Sequence, residues 1–147
     1  MTTVSQVMTR GVRTLSPTDT VVMAARLMEE LNVGVIPVCA GEMLVGMVTD
    51  RDIVVRAMAR SLDGKSTRLS DVMSANVRCA TEDQPIDQVL GTMAQAQIRR
   101  MPVVDGKQRL VGIVTIGDIA AKDRDDDAEV AESLGEISSP AAPDRNG

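Results

Sequence analysis

The sequence predicts an α/β fold, specifically an α+β sandwich of two pseudo-symmetric β-α-β-β-α repeats packed into one module. Three observations support this prediction: a repeated decapeptide, apolar runs that alternate with helically spaced apolar residues, and a length of 147 residues, which suits one domain. Residues 44–53, LVGMVTDRDI, return as residues 110–119, LVGIVTIGDI, about 66 positions later. One small unit is therefore expected twice.

The match continues upstream of the decapeptide. Residues 4–8, VSQVM, correspond to residues 69–73, LSDVM, and the triplet IPV at 36–38 corresponds to MPV at 101–103. A repeat of roughly 55 residues is near the lower size limit for burying its own core, so we expect the two copies to share one. The predicted boundaries are repeat one at 4–60, a linker at 61–68, repeat two at 69–122 and an acidic, disordered tail at 123–147.

The elements of repeat one follow from its hydrophobic period. A helix from residue 20 to residue 31 would place Val21, Ala24, Ala25, Met28 and Leu31 on one face, with Thr18 and Asp19 as candidate caps. The other predicted elements of this repeat are a strand at 12–15, a strand at 35–39, a strand at 43–48 and a helix at 49–59. Repeat two is predicted to have strands at 77–80, 101–105 and 109–114, and helices at 86–97 and from 115 onward.

The composition excludes several kinds of chemistry. The chain has no Phe, Tyr, Trp or His, so ten Met and the aliphatic residues must fill the interior. Without His there is no Ser-His or Cys-His pair and no imidazole metal ligand, so catalysis could rely only on Asp, Glu, Lys or Ser. We predict that the protein is not an enzyme. Cys39 and Cys79 lack the spacing of a metal or redox motif, and we predict that both are buried, reduced thiols.

Charge and hydropathy also limit the kinds of partner that the protein is expected to bind. The first residues do not resemble a signal peptide, and no apolar run approaches the ~18 residues of a membrane span, which predicts a cytoplasmic protein without a membrane partner. Residues 1–120 hold 13 acidic and 13 basic side chains, whereas residues 121–147 hold 8 and 3. A neutral body without aromatic side chains argues against nucleic acid as the main partner.

Two Thr-x-x-Asp motifs, Thr49 with Asp52 and Thr115 with Asp118, each stand where a strand gives way to a helix. In one interpretation they are helix caps, worth ~1 kcal/mol each. In the other, the same threonine and helix N-terminus face an anion or a sugar, and the carboxylate accepts hydrogen bonds from vicinal hydroxyls. The residues by themselves leave both interpretations open.

Arg99 and Arg100 precede the MPV strand of repeat two, and their counterparts in repeat one are Gly34 and Val35. Solvated surface arginines are common. However, arginine suits bidentate phosphate recognition, so a phosphate-bearing ligand should be held mainly by repeat two.

Taken together, the motifs IPV or MPV, Gly-x-Val-Thr-x-x-Asp-Ile and the preceding Val-Met resemble a stand-alone pair of CBS domains, a Bateman module, over residues 4–120. The resemblance implies homodimers and an adenine nucleotide or adenosyl ligand, such as AMP, ADP, ATP or S-adenosylmethionine, in clefts between the repeats. Small stress proteins look similar. No other cofactor is implied.

The resemblance also implies roles for individual residues. Thr49 and Thr115 would contact ribose or phosphate, and Asp52 and Asp118 would accept the ribose hydroxyls. The residues that would border the base are Val35, Ile36, Arg100 and Met101, and Arg99 and Arg100 would reach the phosphate.

Two functions follow as hypotheses. The first is a cytosolic regulatory module that binds an adenosyl ligand and signals to a separate, unknown protein partner. The alternative is a ligand-independent scaffold whose exposed apolar helix faces bind protein, with both motifs acting only as caps. In either case we predict a homodimer through an apolar helical face made of Ile53, Val54, Ala57, Met58, Ile119 and Ala120.

Overall fold

The structure is a computed structural model that describes residues 1–122; the predicted tail at 123–147 lies outside the described residues. It confirms an α+β fold in which short helices alternate with strands of two small sheets. None of the described helices is long and apolar enough to cross a membrane.

The elements follow the predicted order closely. In chain order they are α1 (Val4–Val7), α2 (Val21–Leu31), β1 (Val35–Ala40), β2 (Met43–Thr49), the helical turn α3 (Asp50–Asp52) with a following π-helix (Ile53–Met58), a 3₁₀ turn (Leu69–Asp71), β3 (Ala80–Thr81), α4 (Ile86–Ala96), β4 (Arg100–Val104), β5 (Leu110–Thr115) and α5 (Ile116–Lys122). Three predictions need correction. The strand expected at 12–15 is reduced to one bridge between Leu15 and Val38, and the strand expected at 77–80 is the two-residue β3, Ala80–Thr81. The helix expected at 49–59 is largely a π-helix.

The described residues form two compact units that do not coincide with the two repeats of the sequence. The first unit is Arg13–Val77, and the second unit joins Met1–Val12 to residues 78–122. In the first unit β1 pairs antiparallel with β2, and in the second β3 runs parallel to β4, which pairs antiparallel with β5. The segment that opens each sequence repeat therefore packs with the body of the other repeat.

Helix α2 buries a slightly different face from the predicted one. Its buried side chains are Val21, Ala24, Leu27 and Met28. Ala25 and Leu31, which the helical period predicts on that face, are exposed. The N-cap is also neither Thr18 nor Asp19 but Thr20, whose hydroxyl accepts a hydrogen bond from the Met23 amide at 3.3 Å. The cap fixes where the helix begins, and that start sets which residues turn inward.

The expectation of one shared core is wrong, because most of the buried apolar side chains among the described residues form two clusters, one within each unit. The cluster of the second unit includes Val4, Val7 and Met8 from the N-terminal segment. The cluster of the first unit includes Leu69 and Val72 from the segment between the repeats. Each body of about 50 residues thus completes its core with a short segment from the other sequence repeat, which offsets its small size.

The apolar face predicted for dimerisation is only partly exposed. Val54 and Met58 are 59% and 72% exposed, and Ala120 is also exposed. Ala57 and Ile119, by contrast, are buried in the cores of their units. The prediction for Ala57 used an α-helical period, and it fails because residues 53–58 form a π-helix.

The two cysteines are free thiols in different surroundings. Cys39 is buried as predicted, but Cys79 is only partly buried, which corrects that part of the prediction. Burial raises the pKa of both thiols above the ordinary value, because the thiolate is poorly solvated there.

A backbone crossing in each unit explains the glycine of the repeated Gly-x-Val-Thr motif. Thr9 and Ile113 exchange two backbone hydrogen bonds of 2.8 and 3.0 Å, and Ser74 and Met47 exchange two of 2.8 and 2.9 Å. A Cβ atom added at Gly112 would lie 2.6 Å from the Thr9 carbonyl oxygen, and one at Gly46 would lie 2.6 Å from that of Ser74. Only glycine leaves room for these crossings.

We expect Gly46→Ala and Gly112→Ala each to lower the free energy of unfolding by about 1–3 kcal/mol, because the crossing backbone cannot retreat without losing its hydrogen bonds. Gly91→Ala is the matched control. No atom lies within 4 Å of the added Cβ in α4, so the same substitution should stabilise the chain by roughly 0.5–1 kcal/mol. Urea unfolding of the three variants measures both effects. An equal decrease in the free energy of unfolding for all three variants would contradict the role of the crossings.

The turn between β4 and β5 is organised by the carboxylate of Asp105. It accepts hydrogen bonds from the Arg109 amide at 3.0 Å, the Lys107 amide at 2.9 Å and the Arg109 Nε at 2.7 Å. The bond from the Arg109 amide is the largest of the causes that lower the pKa of Asp105 below its ordinary value.

The depressed pKa predicts a pH dependence. Asp105 should contribute its stabilisation fully above about pH 3.9, the ordinary pKa of Asp, and lose it as the pH falls through the lower pKa of the folded state. An NMR titration of the Asp105 side-chain carbon should give a midpoint below about 3.9. A midpoint at or above that value would show that the turn does not hold the carboxylate in its charged form.

Candidate functional site

In the first unit the Thr-x-x-Asp motif is a reciprocal helix cap at the end of β2. The Asp52 amide donates to Thr49 Oγ1 at 3.0 Å, and the Thr49 amide donates to Asp52 Oδ2 at 3.0 Å. The Asp50 amide donates to the Gly34 carbonyl at 2.9 Å, which ties the start of the helical turn to the residue before β1. Asp52 is nearly buried, at 8% exposure.

In the second unit the motif has the same cap at the end of β5. The Asp118 amide donates to Thr115 Oγ1 at 2.9 Å, and the Thr115 amide donates to Asp118 Oδ2 at 3.2 Å. The Ile116 amide donates to the Arg99 carbonyl at 3.0 Å, as Asp50 does to Gly34. The cap interpretation of both motifs is therefore correct. It does not exclude a ligand, because each cap uses only one of the two carboxylate oxygens.

The surroundings of the two carboxylates differ. Asp118 is partly exposed, and its described hydrogen bonds, from Thr115 and from Thr9 Oγ1 at 3.5 Å, both go to Oδ2. Asp52 instead directs Oδ1 at Arg56 Nη1, 3.7 Å away. Asp118 Oδ1 can accept a hydrogen bond from a ligand hydroxyl. Asp52 Oδ1 can accept one only beside the Arg56 guanidinium.

The arginine pair lies next to the motif of the second unit. Arg99 and Arg100 are partly buried, Arg100 pairs with Thr115 across the β4–β5 ladder, and the Arg99 carbonyl receives the first amide of α5. Both arginines have further polar contacts. The fold thus places the backbone of both arginines next to the Thr-x-x-Asp motif of the same unit, and these are the residues that the sequence suggested for a phosphate-bearing ligand.

The remaining predicted site residues line the strands. Val35 is partly buried and pairs with Thr49. The side chains of Ile36 and Met101 are each only 1% exposed, within the cores of their units. Any contact of these two residues with a ligand would therefore come from the backbone.

Sequence reasoning missed three polar residues next to the motifs. Thr9 and Ser74 follow the Val-Met pair of each repeat, and the crossings bring them beside Asp118 and Arg56 respectively. Arg56 itself was treated as part of an ordinary helix. The sequence did contain a signal, since a hydroxyl residue follows both Val-Met pairs. Its role becomes visible only when each segment packs against the other repeat and brings the hydroxyl next to a motif.

No metal centre was predicted, and the described residues contain no group of three or more His, Cys, Asp or Glu side chains placed to hold a metal ion.

Comparison with protein families gives a match to the CBS domain at residues 4–58 and 69–125. The CBS domain-containing protein YhcV of Bacillus subtilis is 45% identical over 120 residues, which cover 82% of this chain and 84% of that protein. Hypoxic response protein 1 of Mycobacterium tuberculosis is 36% identical over 121 residues, again covering 82% and 84%.

Solved structures agree with these matches. Hypoxic Response Protein I, with two coordinated zinc ions, superposes with a TM-score of 0.75 at 36% identity, covering 82% of this chain and 98% of that one. The CBS domain pair of MJ0100, in complex with 5′-methylthioadenosine and S-adenosyl-L-methionine, gives 0.72 at 31% identity, covering 82% and 94%. CBSX2 in complex with AMP gives 0.72 at 25% identity, covering 82% and 95%.

Proposed function

The chain belongs to the CBS-domain family as a pair of CBS repeats, and on that premise we propose that it is a regulatory module that binds an adenine nucleotide or an adenosyl compound. The observation that carries the proposal is the cluster in the second unit, where Thr115 and Asp118 adjoin Arg99 and Arg100. Related CBS pairs that hold AMP or S-adenosyl-L-methionine support this class of ligand.

The chemistry of the cluster suits such a ligand. Asp118 Oδ1 would accept a ribose hydroxyl without disturbing the cap, which uses Oδ2. The Thr115 hydroxyl and the two guanidinium groups would contact phosphate, for which arginine has the right geometry and charge. In the first unit Thr49 and Asp52 are the corresponding residues, with Val35 and Ile36 on the adjoining strand, but no arginine stands at the equivalent of Arg99.

A regulatory output requires that the ligand bind two states of the protein with different affinity. We propose that a separate protein reads the difference, that the module carries out no reaction of its own and that it is cytoplasmic, as the sequence predicts. A role in stress is consistent with the name of Hypoxic response protein 1, to which the chain is similar.

A second candidate function, a protein-binding scaffold, is favoured by the exposed apolar side chains of the π-helix. Val54, Val55 and Met58 are 59%, 46% and 72% exposed. We propose that a second copy of the chain covers this surface, which would leave ligand regulation and dimer formation compatible.

The ligand site can be tested by calorimetric titration with adenosine and ATP. Asp118→Asn should weaken both ligands tenfold or more, because a charge-assisted hydrogen bond worth ~1.5–3 kcal/mol is lost. Arg99→Ala combined with Arg100→Ala should weaken ATP far more than adenosine, since only phosphate contacts disappear. Lys107→Ala, which removes an exposed cation from the β4–β5 turn, is the control and should change neither affinity.

Equal losses for adenosine and ATP in the double arginine variant would mean that the arginines support the fold and do not bind phosphate. Failure of the unmodified chain to bind adenosine, ATP or S-adenosylmethionine would leave the scaffold as the better function.

For the dimer, light scattering at micromolar concentration should give a mass near twice 15.7 kDa. Val54→Glu with Met58→Glu should return it to a value near 15.7 kDa, because two carboxylates cannot be buried in an apolar interface. Met43→Glu introduces a single carboxylate at a side chain that is 43% exposed on the β1–β2 hairpin and should leave the dimer intact. A monomeric unmodified chain would disprove the homodimer.

A further inference from the structure

Arg56 distinguishes the first Thr-x-x-Asp motif from the second. Its Nη1 lies 3.7 Å from Asp52 Oδ1 and donates hydrogen bonds to the carbonyls of Val72 and Met73, both at 3.1 Å. The same nitrogen donates to Ser74 Oγ at 3.4 Å. One guanidinium therefore links the carboxylate of the motif to the segment that crosses β2.

The corresponding place in the second unit is organised without a guanidinium. Thr9 occupies the position in its crossing segment that Ser74 occupies in the other, and its hydroxyl lies directly beside Asp118, at 3.5 Å from Oδ2. Asp118 is also more exposed than Asp52. At the position that corresponds to Arg56, the second repeat has Lys122 in place of an arginine. Among the side chains that the structure describes, which do not include that of Lys122, no arginine or lysine forms an ion pair with Asp118.

This difference decides what each carboxylate can accept. Asp52 is a nearly buried charge, which is stable only when a partner of opposite charge compensates it. Arg56 is that partner, and its side chain is itself anchored on three acceptors of the crossing segment. A ligand hydroxyl approaching Asp52 Oδ1 would meet the Arg56 guanidinium 3.7 Å away. Moving Arg56 aside to make room would cost the hydrogen bonds of two carbonyls and the compensation of a buried carboxylate.

We propose that Arg56 is a built-in counter-ion that closes the first motif, so that each chain binds one ligand, at Thr115 and Asp118 of the second unit, with Thr9 as a further hydroxyl contact. This inference rests on the proposed function, whose ligand it assigns to one of two motifs with the same local sequence pattern. In the first unit the motif is then a structural element that fastens the crossing segment to the helical turn.

The same substitution at the two aspartates separates these roles. AMP and S-adenosylmethionine are titrated calorimetrically into the unmodified chain, which should bind one molecule per chain. Asp118→Asn should weaken binding at least tenfold with little change in Tm. Asp52→Asn should change affinity by less than twofold and lower Tm by about 3–8 °C, the range expected when a compensated buried charge is disrupted in a chain of this size.

A thermal double-mutant cycle tests the counter-ion without any ligand. Arg56→Gln should also lower Tm, and its combination with Asp52→Asn should lower Tm by clearly less than the sum of the two single effects, because both remove the same contact. Arg56→Lys keeps the charge but cannot reach all acceptors, so its Tm should lie between those of the unmodified chain and Arg56→Gln. It should still bind one ligand per chain. This conservative variant keeps the test open if Arg56→Gln does not fold.

Two ligands per chain, or a loss of affinity in Asp52→Asn equal to that in Asp118→Asn, would overturn the inference while the proposed function stands. Additive losses of Tm would also overturn it. Absence of binding by the unmodified chain would instead refute the proposed function, and the Tm cycle would still decide whether Arg56 compensates Asp52.

Discussion

The crossing of one short segment over one hairpin is the constraint on which the rest of each unit depends. In both units a residue after a Val-Met pair exchanges two backbone hydrogen bonds with the second hairpin strand, over a glycine that has no room for a side chain. The crossing brings apolar side chains of the segment into the core and a hydroxyl residue to the end of the strand. Core and candidate site therefore share one cause.

The crossing also explains why one motif can have two roles. Thr49 and Thr115 begin their helical turns with the same reciprocal cap, so the local structure of the two motifs is alike. What lies above each cap differs: Arg56 and Ser74 in the first unit, Thr9 in the second. The same motif can therefore be a cap and a ligand site. The cap uses one carboxylate oxygen, and the groups near the crossing segment decide what the other oxygen can contact.

The asymmetry of charge agrees with the asymmetry of the motifs. The second unit has Arg99 and Arg100 at the strand that adjoins its motif, whereas the first has Gly34 and Val35 there. The first unit uses its arginine, Arg56, to satisfy its own carboxylate and carbonyls. A cation that serves the fold in one unit, and two arginines on the strand beside the candidate site in the other, are consistent with one duplicated unit whose copies have taken different roles.

The sequence by itself determined the duplication and the order of most elements, and it offered the cap as one of two interpretations of each Thr-x-x-Asp motif, because these depend on local periodicity and on side chains three residues apart. It did not reveal that residues 1–12 complete the core of the second repeat, that residues 53–58 form a π-helix or that Arg56 contacts Asp52 and Ser74. Those features arise from contacts between segments distant along the chain and from a departure from α-helical period. Only the tertiary structure decides them, because no local pattern records which repeat a segment will pack against.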